Sequence, residues 1–162
     1  MSTQPGRHFL VRIGLAIALL VGGMVAPPAV AGGLEILDLT PPGRLMALRW
    51  LGGHLEGLGQ HASAVPVYQA AADLSATLGR PDLQAEYLID VGWNHQMAGK
   101  GLDGIPALEQ AISLAQSSAR LDLEGNAWNA LALITRAQGD GEASLPLFGK
   151  ALALARQGGD KA

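Results

Sequence analysis

An all-α solenoid of three stacked helix hairpins follows from three observations on the sequence. The chain repeats itself without gaps in steps of forty residues: Leu51-Gly52, Val91-Gly92 and Leu131-Ala132 fall in one register. Gly59, Gly99 and Gly139 share it, as do Pro66, Pro106 and Pro146, then Ala71, Ala111 and Ala151, then Leu74, Leu114 and Leu154. Such a fixed period marks one supersecondary unit used three times. Second, apolar residues make up 49% of the chain but aromatics only 4%, the Ala, Leu and Gly palette of closely packed helices. Third, no two-residue alternation of strand formers appears after residue 40, whereas apolar residues recur at three- and four-residue spacing.

The elements follow in chain order. Arg7, His8 and Arg12 precede the apolar run Ile13 to Val25, and Ala29-Val30-Ala31 follows Pro27-Pro28. A basic start, a short apolar stretch and a small-x-small tripeptide predict a secretory signal peptide over residues 1–31, cleaved after Ala31. The mature chain then loses Arg7 and Arg12, leaving nine basic against fourteen acidic residues, a net charge of −5. The expected location is the bacterial periplasm or the exterior. The alternative is an inner-membrane anchor, since Phe9 to Val25 falls a little short of the roughly 20 residues of a spanning helix. No Cys occurs, which excludes a lipid-modified N-terminal cysteine. Residues 32–43 read as a linker and 44–160 as the folded domain, with repeats at about 45–84, 85–124 and 125–160.

Within the second repeat, Leu83, Tyr87, Leu88, Val91 and His95 line one helix face. Gly99-Lys100-Gly101 stops that helix, because Gly accepts the left-handed conformation of a helix terminus without steric cost. A second helix is expected from about Asp103, burying Ile105, Leu108, Ala111, Ile112 and Leu114, with Pro106 in its first turn where no intrahelical bond is lost. Pro66 and Pro146 predict the same placement in their units. Asp82 and Asp122 sit where side-chain N-caps of the next hairpins belong.

In these residues the chain resembles the tetratricopeptide repeat family, in its long, roughly forty-residue variety. The pattern of a large residue, Leu-Gly, an aromatic, and then Ala, an aromatic and Ala reads here as Leu48, Leu51-Gly52, Leu55, Ala64, Tyr68 and Ala71. The second copy has Leu88, Val91-Gly92, His95, Gly104, Leu108 and Ala111, and the third has Trp128, Leu131-Ala132, Thr135, Ser144, Phe148 and Ala151. The match covers residues 44 to 157. It departs at Leu55, His95 and Thr135, where the family has an aromatic, and in lacking the closing Pro. Trp128 falls on a packing column and is expected in the core.

The resemblance implies a right-handed superhelix whose first helices line a concave groove for an extended peptide or a partner helix. The groove columns hold Met46, Arg49, Trp50, Gly53 and Glu56, then Glu86, Ile89, Asp90, Trp93, Gln96 and Met97, then Asn126, Asn129, Leu133 and Arg136. Of these, Arg49, Glu56, Ile89, Trp93, Gln96, Met97, Asn129, Leu133 and Arg136 are the expected partner-binding residues. Trp93 stands out, because Trp is enriched at binding hot spots. The Lys/Asn clamp with which some members hold a C-terminal carboxylate is not reproduced, since Arg49, Ile89, Trp93 and Asn129 occupy its columns.

The expected function is therefore an exported, non-enzymatic protein-binding scaffold. Two alternatives stand beside it: a small-molecule or lipid carrier using the apolar stretch at Trp93, Met97 and Leu133, and a subunit that self-associates through the last helix, around Leu145, Phe148, Leu152 and Leu154. No cofactor or metal is expected, because His54, His61 and His95 fit no ligand spacing and no Cys is available. Gly52 to Gly59 lacks the Gly-Lys-Ser/Thr ending of a phosphate loop. With 11 basic and 14 acidic residues and no basic cluster, nucleic acid is not an expected partner.

Overall fold

A computed structural model describes residues 40–159, so the signal segment and most of the linker lie outside the described residues. Among the described residues six helices follow one another: α1 (Pro41–Gly57), α2 (His61–Thr77), α3 (Pro81–Met97), α4 (Gly101–Ser117), α5 (Leu121–Ala137) and α6 (Gly141–Gly159). Each packs on its neighbours in sequence, giving an all-helical solenoid. The first five each have 17 residues, about 25 Å of helix. None of the described helices is long and apolar enough to cross a membrane.

The helices start every twenty residues because five turns of one design join them. Gly59, Gly79, Gly99 and Gly139 adopt positive φ, and Ala119 does so at 54°. In each turn that residue's N–H donates three residues back, and the next N–H donates five back, as in Gly59 to Glu56 and Gln60 to Leu55. These bonds satisfy carbonyls that a helix end leaves orphaned.

This turn, rather than Pro, sets where helices begin. The linker expected over 32–43 therefore ends early, since α1 opens at Pro41, where a first-turn Pro loses no bond. The fourth helix starts at Gly101, ahead of the expected Asp103. Pro66, Pro106 and Pro146 consequently lie inside their helices, beyond the first turn. The carbonyls they leave without a donor belong to Ala62, Leu102 and Glu142, all solvent-exposed residues where water can substitute. Asp82 and Asp122 are not N-caps either. Arg80 and Arg120 hold the cap positions, and each guanidinium forks onto the following Asp, at 3.0 and 2.8 Å for Arg80 and at 2.8 and 2.6 Å for Arg120. The Arg80 fork holds the Asp82 carboxyl at about 2. It is Asp140 that caps α6, its carboxylate accepting from the Ala143 N–H at 2.9 Å.

The core runs through all three hairpins, from Leu45, Leu48 and Leu51 to Leu123, Ala127 and Ile134. Small residues set the closeness of each hairpin. A Cβ at Gly52 would strike the ring of Tyr68, one at Gly92 would strike Leu108, and one at Gly104 would lie 2.9 Å from the backbone of Gly92. Helix α3 also packs on α5, while α2 and α4 make no comparable contact. Helices α1 and α3 are joined instead by side-chain bonds, from Asn94 to Glu56 and from Arg49 to Glu86.

Candidate functional site

The odd-numbered helices carry all the groove positions expected from the sequence, and their side chains divide into those consumed by the fold and those left open. Glu56, at the end of α1, belongs to the first group. Its Oε1 accepts from Asn94 Nδ2 at 2.6 Å and its Oε2 from the Tyr68 hydroxyl at 2.9 Å. Asn94 is fully buried and uses its whole amide: Nδ2 also donates to the Asp90 carbonyl at 2.8 Å, and Oδ1 accepts from His61 Nδ1 at 3.0 Å. One amide thereby ties α1, α2 and α3 together. Burial, and then the bond to Glu56, pushes the Tyr68 hydroxyl's pKa up.

Beside this node lies Asp90, half-buried on α3. Burial pushes its carboxyl up to about 7, Glu56 and Glu86 add to the rise by repulsion, and Arg49 opposes it. Arg49 reaches Glu86 at 3.5 Å, linking α1 to α3 across the surface. With its guanidinium already paired in the chain and still well exposed, this side chain is only partly free for a partner.

The open group centres on α3. Trp93 is 39% exposed and Met97, one turn on, 49%. Both neighbouring hairpins are present around α3, so this exposure is not an effect of the molecule's ends. Ile89 is half-buried against the core, and Leu133 on α5 is half-buried as well. Gln96 folds over the α-carbon of Gly101. Asn129 is exposed, and Arg136 lies with its Cζ 5.6 Å from the centre of the Phe148 ring. Met46 and Trp50 belong elsewhere. With Arg49, Gly53 and His54 they line an open depression of about 500 Å³ on α1, and Trp50 stacks on His54 with ring centres 5.3 Å apart.

Trp128 meets its expected core position only in part. It packs against the core but is half-buried, with Nε1 donating to Glu124 at 3.3 Å and the Lys150 ammonium 3.9 Å above its ring. The three histidines among the described residues go to separate uses: His54 on Trp50, His61 on Asn94, and His95 with its Cβ against Gly104. Asn94 escaped sequence reasoning because its column holds His54 and Ile134 in the other units, which matches no family position. A Glu, a Tyr and an Asn on three neighbouring helices were its only signal.

No family model matches the chain, and neither a curated protein nor a solved structure matches it.

Proposed function

We propose that the chain is an exported, non-enzymatic scaffold of tetratricopeptide type that binds an extended peptide or a helix of a protein partner along its odd-numbered helices. The observation that carries this reading is the exposure of Trp93 and Met97 in the middle hairpin. Apolar side chains one helical turn apart form a continuous strip, and Ile89 and Leu133 extend it while Gln96, Asn129 and Arg136 offer hydrogen bonds at its margin. An apolar centre with a polar rim is the usual anatomy of a binding patch. Glu56 contributes to this surface indirectly, by holding α1 against α3.

Trp93→Ala tests the reading, because an exposed side chain and a core side chain respond differently. It should lower stability by less than about 1 kcal/mol, whereas Leu131→Ala, a buried truncation, should cost roughly 2–5 kcal/mol. Thermal or denaturant melts measure both. A photo-crosslinking residue placed at Met97 in intact cells should capture a protein, and Trp93→Ala should abolish that capture while leaving the melt nearly unchanged. A native mass spectrum showing a retained lipid or small molecule in the purified protein would instead favour a carrier. N-terminal sequencing of the exported protein tests cleavage after Ala31.

A further inference from the structure

The forty-residue register allows each position at the two ends of the solenoid to be compared with its counterparts inside. On α6, Leu152 is 52% exposed, although its counterpart Ile112 is 7% exposed and Ala72 fully buried. Ala155 is exposed where Ser75 and Ala115 are buried, and Leu145 is exposed where Val65 and Ile105 are half-buried. These are the positions at which α2 and α4 receive the next hairpin. On α1 the complementary set is uncovered. Trp50 is 54% exposed where Ala130 is 5% exposed, and His54 is exposed where Asn94 and Ile134 are buried. These are the positions by which α3 and α5 sit on the hairpin before them.

We infer that a second copy of this chain docks its α1 on α6, continuing the solenoid head to tail. The internal seams α2/α3 and α4/α5 already join a surface of the α6 kind to one of the α1 kind, so the contact continues an interface the fold contains twice. One detail fits the occupant. Inside the molecule, Ile134 Cγ2 lies 3.3 Å from where a Cβ on Gly101 would be, whereas nothing lies within 4 Å of that point on the equivalent Gly141. The second copy's residue in the Ile134 column is His54, already stacked on Trp50. The contact unites two different surfaces, so copies add head to tail rather than pairing about a two-fold axis, and a dimer still carries one open head and one open tail. It uses the ends of the stack and is independent of the surface around Trp93.

Sedimentation velocity on purified protein between about 10 and 500 μM, the range in which a small interface becomes populated, tests the inference with Trp50→Glu and Leu152→Glu. Both side chains are exposed in a single copy, and thermal melts near that of the unaltered protein verify that both variants fold. The unaltered protein should grow past dimer as concentration rises. Each variant alone should remain monomeric, its association weakened at least about tenfold. An equimolar mixture should form dimers and nothing larger, because only one intact head meets one intact tail. The inference fails if the unaltered protein stays monomeric throughout. It fails equally if Trp50→Glu alone dimerises, which would mean tail-to-tail contact, or if the mixture stays monomeric.

Discussion

The two internal seams share one geometry and differ in chemistry. Between the first and second hairpins, α3 presents Tyr87, Asp90 and Asn94, and the seam is locked by the Glu56, Asn94, His61 and Tyr68 bonds. Between the second and third, α5 presents Ala127, Ala130 and Ile134 at the same positions; Gln96, Gly101 and Leu108 fill the columns of Glu56, His61 and Tyr68, so the buried part of this seam is largely apolar, and its bond from Gln116 to Glu124 lies at the exposed edge. The joining turns differ in parallel, with Gly79 in one and Ala119 in the other. The Arg-Asp forks are common to both. A repeat fold thus fixes where the helices meet but leaves the chemistry of each meeting free. A fully bonded polar seam is directional, because each donor needs its own acceptor in reach, whereas an apolar seam tolerates small slips.

Exchanging the chemistry should break the comparison most severely. Ile134→Asn places an amide in a seam where Gln96 and Gly101 stand in place of the Glu56 carboxylate and the His61 imidazole, and should cost roughly 2–4 kcal/mol in denaturant melts. A loss below about 1 kcal/mol would show that Gln96 or water satisfies the new amide.

The next effect is confined to the polar seam and depends on pH. Burial pushes the Asp90 carboxyl up to about 7 from the ordinary 3.8 of an aspartate, so the folded chain holds its proton more tightly than the unfolded one does. Its stabilising contribution is complete below about pH 4 and fades as pH rises to about 7. Asp90→Asn, which mimics the protonated form, should melt higher than the parent at pH 8, by about 1–3 kcal/mol of stability after allowance for solvent screening. The gain should vanish near pH 4. Parallel melting curves for parent and variant across this window would remove Asp90 as their cause.

The smallest effect sharpens the contrast between the turns. Ala119 carries a φ of 54° that its counterparts assign to glycine, a conformation costing a non-glycine residue about 1 kcal/mol. Ala119→Gly should raise stability by up to about that amount, whereas Gly79→Ala should lower it by a similar amount. Melts of the pair in one background provide the check.

Much of this architecture was legible because backbone packing imposes itself on the sequence. Gly52, Gly92 and Gly104 are small because a Cβ at each would strike a neighbouring helix, and Gly59, Gly99 and Gly139 mark turns that require positive φ. Helix starts were less legible. Pro66 suggested a first turn, yet the start is dictated by the hydrogen-bonded turn before it, and an exposed carbonyl makes an interior proline tolerable. The polar node was hidden for another reason. Glu56 and Asn94 are 38 residues apart, and only the packing of three helices brings an amide, a carboxylate, a phenol and an imidazole within bonding range. Trp50 and Trp93 fall on neighbouring columns and looked alike in sequence. One is bared by the end of the stack and the other lies between two complete neighbours.

The regular spacing of the five turns has a consequence for how such a chain can change in length. Excising residues 81–120 would set Arg80 directly before Leu121, and the junction would retain the same turn, the same starting point for the next helix and an Arg followed two places later by an Asp. A duplication of that block would join equally well. The joints are interchangeable parts, so the molecule can lose or gain a whole hairpin in a single genetic step, and the side chains on the newly adjoining faces alone decide whether the result holds.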